Sequence, residues 1–195
     1  MPKYFRYFPE VVYKGKPVKD ITRRVRFLEQ VSTDPRVFLP YVIKEGETAD
    51  EISYHYYGTV NYVWLVYLAN NIIDPYYDWP MTQNNLDSFV IDKYRGLAEA
   101  SEGTTLSDRR VLEWTQKTTI TDNITYYENV DDPTIRLSPD SYGIGLDPDF
   151  QAVDWTPIRY YDYEFIENEN KRHIFLIDRE YASGTQKELK SILNG

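Results

Sequence analysis

Short apolar runs broken by turn-forming residues make up the first part of the chain. Residues 11–13 are apolar and precede Lys14-Gly15-Lys16-Pro17, which is typical of a turn between extended segments. These runs are too short to enclose a core. Residues 1–40 are therefore predicted to form an extended N-terminal arm.

A strand and a capped helix are predicted next. Residues 41–44 form a β-branched run that ends at a Gly turn. Thr48 and Glu51 have the spacing of a capping box, in which each side chain bonds to the backbone amide of the other. Gly58 is predicted to end the helix in the left-handed conformation. Apolar side chains recur on one face of this helix, at Ala49, Ile52 and Tyr56.

Two more helices are predicted after it. Asn61 is placed to cap a helix over residues 62–69, whose apolar side chains cover most of its circumference and need burial on more than one side. Residues 74–80 form a rigid aromatic loop. Thr82 is then predicted to cap a third helix, which Gly96 closes.

The second half of the chain alternates short apolar segments with Thr, Ser, Asp, Gly and Pro. Residues 97–158 are predicted to form short antiparallel strands and long loops, with strands at residues 111–114, 118–127 and 135–137. Residues 161–165 and 173–177 are predicted to pair as a hairpin. Residues 185–193 are predicted to form a terminal helix.

These patterns predict an α+β fold in four segments. The segments are an extended N-terminal arm (1–40), a strand–helix–helix module with the helix that follows it (41–96), an insertion of short strands and loops (97–158), and a C-terminal hairpin and helix (159–195).

Charge and composition exclude several classes of function. The 195-residue chain has 22 basic and 31 acidic side chains, a formal net charge of −9 that disfavours binding to nucleic acid. No apolar run approaches the roughly 20 residues that cross a bilayer, and the first residues lack the apolar stretch of a signal peptide. We therefore expect a soluble protein made in a cytoplasm, with no nucleic-acid or membrane partner.

Aromatic side chains are abundant for so polar a chain, with 19 Tyr, 8 Phe and 4 Trp. Two interpretations remain open: surfaces covered by partner proteins, where Tyr and Trp are enriched, or a small aromatic core. Basic side chains cluster within residues 14–26, which indicates a contact for an acidic partner or a solvated face. These side chains are Lys14, Lys16, Lys19, Arg23, Arg24 and Arg26.

Candidate catalytic and metal-binding groups are sparse. The absence of Cys excludes disulfides, thiolate zinc sites and Cys nucleophiles. Neither His55 nor His173 has the setting of a nucleophilic triad, and the aspartates of residues 122–132 lack the spacing of a calcium loop. Asp162 and Glu164 are interpreted as the solvent face of a strand rather than a glycosidase pair. We predict no enzymatic activity, no metal and no cofactor.

Residues 41–72 resemble a LysM module. The resemblance rests on Tyr41-Val42-Ile43-Lys44-Glu45-Gly46-Glu47-Thr48, Glu51-Ile52, Tyr57-Gly58 and Leu68-Ala69-Asn70-Asn71-Ile72. A longer series of motifs resembles the LysM-bearing baseplate wedge subunit of T4-type contractile-tailed phages. These motifs are Tyr56-Tyr57-Gly58, Tyr62-Val63-Trp64, Asp74-Pro75-Tyr76, Asp78-Trp79-Pro80 and Lys93-Tyr94, with Phe8-Pro9 and residues 20–25 upstream and Lys171-Arg172 downstream.

This resemblance implies a structural virion protein of the tail baseplate, made in the host cytoplasm, rather than an enzyme. It implies a LysM-like strand–helix–helix module and contacts with other wedge proteins and neighbouring wedges, which join around the tail hub in a sixfold ring. The residues of the implied module are Tyr41, Gly46, Thr48, Glu51, Ile52, Tyr57, Gly58, Trp64, Asn70 and Asn71. The candidate partner contacts are Tyr4, Phe5, Phe8, Tyr13, Arg23, Arg24, Tyr76, Tyr77, Trp79 and Arg172.

Peptidoglycan binding by the LysM-like module is the alternative function. A glycan-binding LysM module closes with a second strand after its Asn-rich turn, whereas residues 74–80 here lead into a helical pattern. We therefore expect an incomplete sheet edge and sugar groove, with Tyr41, Gly46 and Asn70 stabilising the module.

Overall fold

The computed structural model describes residues 8–20, 36–144 and 154–194. The described residues up to Pro80 form one compact unit with those from Lys171 onwards, and Met81–Asn170 forms a second unit. Helices and small antiparallel sheets together confirm the predicted α+β class. None of the helices within the described ranges combines the length and the apolar character of a membrane span.

The elements divide between the two units as follows. The first unit contains strands β1 (Glu10–Tyr13), β2 (Lys16–Lys19), β3 (Phe38–Val42) and β7 (His173–Ile177), and helices α1 (Ala49–Tyr57), α2 (Val63–Ala69) and α7 (Arg179–Asn194). The second contains strands β4 (Ile124–Asn129), β5 (Arg136–Leu137) and β6 (Trp155–Arg159), and helices α3 (Gln83–Glu102), α4 (Asp108–Gln116), α5 (Pro139–Ile144) and α6 (Tyr160–Asn170).

A local hairpin opens the described part of the first unit. β1 and β2 pair antiparallel, and every residue of both strands is exposed. Lys14 and Gly15 have φ values of 50° and 74°, as in a two-residue type I′ turn. The predicted turn is confirmed.

A second strand pair joins distant parts of the first unit. β3 and β7 pair antiparallel, with Phe38 opposite Ile177 and Val42 opposite His173. The prediction that residues 173–177 pair with residues 161–165 is wrong, because the latter lie in α6. β3 also begins at Phe38, ahead of the predicted start at residue 41.

Helix α1 follows the sequence pattern closely. Thr48 and Glu51 form the predicted capping box, and Gly58 ends the helix with φ 73°. Ala49 and Ile52 are buried, and Tyr56 packs against the same cluster. The predicted helix and its apolar face are confirmed.

The start of α2 and the end of α3 differ from the predictions. Thr59 rather than Asn61 accepts the capping bond, because a 3₁₀ turn over Val60–Tyr62 precedes α2. Thr82 caps α3 as predicted, but Gly96 lies within that helix and Gly103 ends it. A single Gly is tolerated in a helix interior at a cost of about 1 kcal/mol, so it is a weak stop signal.

Two clusters of buried side chains form the core of the first unit. One contains Phe8, Phe38, Trp64, Leu65, Ile177, Ala182, Leu189 and Leu193. The other contains Ile43, Ala49, Ile52, Val66, Ile174 and Leu176. The prediction that residues 1–40 lie outside a core is therefore wrong for Phe8 and Phe38, whose rings pack with side chains from the C-terminal end of the sequence.

The second unit is more helical than its sequence indicates. Residues 111–114, predicted as a strand, lie in α4, where Val111 and Trp114 are buried three positions apart. The strand predicted over residues 118–127 is present from residue 124 as β4, whereas residues 118–123 lie outside any strand. The strand predicted over residues 135–137 is present as β5. β4 is the central strand of its sheet, between β5 and β6.

The apolar pattern of the sequence does not indicate helix α6, because the buried face of this helix is polar. Glu164 and Asn168, four residues apart, are its buried residues. The Glu164 carboxylate accepts bonds of 2.6 Å from the Tyr94 hydroxyl and the Lys93 ammonium. Asn168 bonds to both backbone groups of Met81, at 2.7 and 3.0 Å. The interpretation of Glu164 as solvent-facing is therefore wrong.

Candidate functional site

The most prominent exposed feature of the first unit is the aromatic loop after α2, which is predicted at residues 74–80 and spans residues 72–80 in the structure. Tyr76 is 87% exposed, Tyr77 is 62% exposed and Ile73 is 65% exposed. Large apolar side chains so open to water are typical of surfaces that bind other proteins. The aromatic loop is therefore the first candidate contact site.

Hydrogen bonds within the aromatic loop fix its backbone. The Asp78 carboxylate accepts from the amides of Ile73 and Asp74, at 2.9 and 3.0 Å. The Asp74 carbonyl accepts from the amides of Tyr77 and Asp78, at 3.1 and 2.8 Å. Bonds from the amides of Asp74 and Ile73 lower the pKa of Asp78, because they stabilise its charged form.

Two side chains attach the aromatic loop to the rest of its unit. The Trp79 indole N–H donates to the Glu47 carbonyl at 3.0 Å, and its ring meets Tyr67 edge to face with centroids 5.9 Å apart. The Lys171 ammonium donates to the Tyr77 carbonyl at 2.6 Å. The tyrosines therefore project from a loop whose backbone is already held in place.

The β1–β2 hairpin is the second candidate contact site. Val12 is 79% exposed, and Val11, Tyr13 and Val18 are also open to water. Lys19 lies 3.2 Å from the Glu10 carboxylate and donates to the Phe8 carbonyl at 3.0 Å, which holds the base of the hairpin.

Several residues of the predicted LysM-like module stabilise the first unit through specific bonds. The Tyr41 hydroxyl donates to the Glu47 carboxylate at 2.9 Å, and burial together with this bond raises the pKa of Tyr41 to about 12. The Tyr57 hydroxyl donates to the Ile177 carbonyl at 2.9 Å, and burial raises the pKa of Tyr57.

Other module residues hold turns or lie in the core. The Glu51 carboxylate accepts from the Thr48 amide at 2.9 Å, and the bonds from Thr48 lower the pKa of Glu51. Gly46 and Asn71 occupy turns with φ values of 74° and 54°. Trp64 is buried.

Asn70 completes the edge of strand β7. Its carboxamide accepts from the Phe175 amide at 2.7 Å and donates to the Phe175 carbonyl at 2.8 Å. The same nitrogen also donates to the Val66 carbonyl at 2.8 Å. One side chain therefore ties α2 to β7.

The predicted partner contacts occupy different environments. Tyr13, Tyr76 and Tyr77 are exposed, as a contact role requires. Phe8 is only 2% exposed and belongs to the core, which corrects its assignment as a contact. Arg172 is 12% exposed and pairs with the Glu45 carboxylate. Tyr4, Phe5, Arg23 and Arg24 lie outside the described residues.

Sequence reasoning missed the organising role of Asp78 and Lys171. Both lie in quoted motifs, but their bonds go to backbone groups rather than to other side chains. The signal available for Asp78 was its position four residues after Asp74 in a Pro-containing loop, where Asp side chains commonly bond to nearby amides.

Comparison with known proteins identifies the family. The family described as Base plate wedge protein 53 matches residues 6–191. The chain belongs to this family. Base plate wedge protein 53 is a structural component of the phage tail baseplate rather than a known class of enzyme, and baseplate membership entails contacts with other baseplate proteins. No curated protein matches the chain.

Proposed function

We propose that this baseplate protein joins wedge proteins to each other around the tail hub during assembly. The observation that carries the proposal is the aromatic loop, which presents Tyr76 and Tyr77 to solvent on a backbone fixed by Asp74 and Asp78. In this proposal the chain contacts neighbouring wedges of a sixfold ring in a contractile tail, after synthesis in the host cytoplasm.

The fixed backbone of the aromatic loop lowers the entropic cost of binding a partner. Association costs free energy for every loop and side chain that must become ordered. The aromatic loop meets much of this cost within the free protein, because its backbone is already bonded. Tyr is enriched among the residues that contribute most to protein interfaces, so the two exposed tyrosines are the expected centre of the contact.

We also propose that β3, α1, α2 and β7 form the LysM-like module. Its two strands, β3 and β7, lie on either side of the second unit in the sequence, because Met81–Asn170 is inserted between α2 and β7. β7 thereby takes the place of the second strand that a LysM module has after its Asn-rich turn, where this chain has residues 74–80 instead. The bonds from Asn70 to Phe175 support the assignment.

Binding to purified wedge proteins tests the joining role. Each of the other wedge proteins of the same phage is mixed with the full chain, and complex mass and affinity are measured. A double substitution, Tyr76→Ala with Tyr77→Ala, is expected to weaken binding by at least about tenfold, because it removes two aromatic anchors.

Tyr54→Ala is the matched control, because Tyr54 is 60% exposed on α1 outside the aromatic loop. It should bind like the unmodified chain. Equal affinity of the double variant would reject the aromatic loop as the contact, and no complex with any wedge protein would reject the joining role.

Peptidoglycan binding is retained as a second candidate because β7 pairs with β3 and supplies the second strand that does not follow the Asn-rich turn in sequence. Sedimentation of the full chain with insoluble peptidoglycan distinguishes the two functions. The joining role predicts that the protein stays in the supernatant, and co-sedimentation that soluble peptidoglycan fragments reverse would favour the glycan function instead.

A further inference from the structure

The hydrogen-bonding phase of the β1–β2 hairpin determines which backbone groups point outward. Tyr13 and Lys16 flank a two-residue turn, so they form a hydrogen-bonded pair, and bonded and non-bonded pairs then alternate. This alternation predicts that Pro9 and Asp20 form a bonded pair, and the Asp20 amide does donate to the Pro9 carbonyl at 2.9 Å. Val12 and Pro17 are therefore a non-bonded pair whose backbone groups face away from the partner strand.

The two edges of the hairpin consequently differ. On β2, Pro17 has no amide hydrogen to offer at its outward position, which prevents regular pairing with another strand. On β1, Glu10 and Val12 both present an outward N–H and C=O. No described residue bonds to the backbone of Val12. With respect to residues 8–20, 36–144 and 154–194, the hairpin is therefore open to strand addition on one edge.

We infer that the β1 edge receives an extended acidic–apolar segment of another baseplate protein as a third strand. This inference rests on the proposed joining function and specifies one of its contacts. Backbone bonds to Glu10 and Val12 would supply the pairing, as in other cases of strand addition. The edge is short, so it contributes to a larger contact rather than forming one alone.

The hairpin side chains define the chemistry of the segment. Val11, Tyr13 and Val18 lie on one face, which would pack against apolar side chains at alternate positions of the incoming strand. Among the described residues, no carboxylate forms an ion pair with Lys14 or Lys16 at the turn. In a chain with a net charge of −9, this local positive charge favours an acidic segment.

A single substitution tests the role of the outward Val12 amide without removing a hydrogen bond of the hairpin. Val12→Pro removes the outward N–H but no hydrogen bond of the β1–β2 ladder. Val12→Thr is the matched control, because it changes the side chain and keeps both the amide and the β-branched shape. Unchanged thermal unfolding would establish that the core of both variants is folded, and unchanged amide exchange at Val11 and Tyr13, whose amides bond to β2, would establish that the hairpin is intact.

The measurement uses the full chain and each purified wedge protein of the same phage in turn. For the wedge protein that binds, we expect Val12→Pro to weaken affinity about tenfold through lost pairing and steric obstruction, and Val12→Thr to bind normally. In the complex of the unmodified chain, amide exchange should slow at Glu10 and Val12, whose amides are outward.

Each outcome has a distinct meaning. Normal binding by Val12→Pro, or no slowing of exchange at Glu10 and Val12, would overturn the inference and leave the joining function intact. Failure of the unmodified chain to bind any wedge protein would overturn both. Self-association of the chain that Val12→Pro abolishes would identify a second copy as the occupant and overturn the inferred partner.

Discussion

The first unit contains two two-stranded antiparallel sheets that are stabilised in different ways. The β1–β2 hairpin forms around a two-residue turn and exposes all its residues. The β3–β7 pair joins residues far apart in sequence, buries Phe38, Ile174, Leu176 and Ile177, and has one edge covered by Asn70. An isolated two-stranded sheet is only marginally stable in water. The β1–β2 hairpin therefore depends on its turn and on the Lys19 contacts at its open end, and the β3–β7 pair depends on its buried side chains.

Removing a core side chain should affect the β3–β7 pair most. Leu176→Ala is expected to lower the free energy of unfolding of the first unit by about 2–5 kcal/mol, because Leu176 is 1% exposed. Phe175→Ala is the control, because the neighbouring Phe175 side chain of the same strand is 49% exposed, and it should cost much less. Denaturant titration followed by Trp fluorescence measures both, and equal losses would contradict the difference in burial between the Leu176 and Phe175 side chains.

Removing the cover on the β7 edge should have a smaller effect. Asn70→Ala leaves both backbone groups of Phe175 without their partner and is expected to cost about 1–3 kcal/mol in the same titration. Asn85→Ala, at an exposed position of α3, should change stability by less than about 0.5 kcal/mol. If the two variants were equally stable, the role of Asn70 in joining α2 to β7 would be wrong.

Two glycines allow the same backbone strain to be introduced in the β1–β2 hairpin and at the end of α1. Gly15 and Gly58 have φ values of +74° and +73°, and an added Cβ meets nothing within 4 Å at either position. Ala should therefore cost about 1 kcal/mol locally at each site.

The two substitutions are expected to differ in where this cost appears. Gly58→Ala should lower the free energy of unfolding of the first unit, because Gly58 ends α1. Gly15→Ala should instead speed amide exchange at Val11 and Tyr13 with little change in global unfolding. A global loss from Gly15→Ala equal to that from Gly58→Ala would show that the hairpin unfolds together with the core.

The smallest expected effect is a dependence on acid pH near the aromatic loop. The pKa of Asp78 is lower in the folded unit than in the unfolded chain, mainly through the bonds from the Asp74 and Ile73 amides. Its contribution to stability is present above the unfolded pKa of about 4 and is lost as pH falls through the folded value. Because Asp78 is exposed, this contribution should remain below about 1 kcal/mol.

Asp78→Asn should therefore flatten the fall in melting temperature between about pH 5 and pH 3. The Glu51 carboxylate, whose pKa is also lowered, should retain its own part of the acid dependence in that variant. An unchanged acid profile for Asp78→Asn would contradict the bonding that fixes the aromatic loop.

Local sequence signals identified those elements whose stabilisation is local. The type I′ turn at Lys14 and Gly15, the capping box of Thr48 and Glu51, and the end of α1 at Gly58 all depend on neighbours within a few residues. The exposed tyrosines of the aromatic loop follow similarly from a Pro-containing segment between two helices. As partner contacts they remain a prediction.

Local sequence signals do not predict which distant strands pair or which polar side chains are buried. The apolar run predicts the strand at residues 173–177, but periodicity carries no information on which strands pair, so it does not indicate β3 as the partner. Residues 161–165 of α6 have the alternation of a strand, because the buried Glu164 and Asn168 interrupt the apolar spacing expected of a helix. The burial of Phe8 depends on side chains of α7, which lie far away in sequence, so nothing near Phe8 in the sequence indicates it.

The late position of β7 imposes an order on biosynthesis. Met81–Asn170 is contiguous, so the ribosome delivers all of the second unit before residues 173–177 are translated. Until then β3 lacks its partner, and the nascent first unit exposes Phe38 and Ile43. Domains generally fold as units during synthesis, so the second unit gains its structure first, and β3 and β7 of the first unit pair only afterwards.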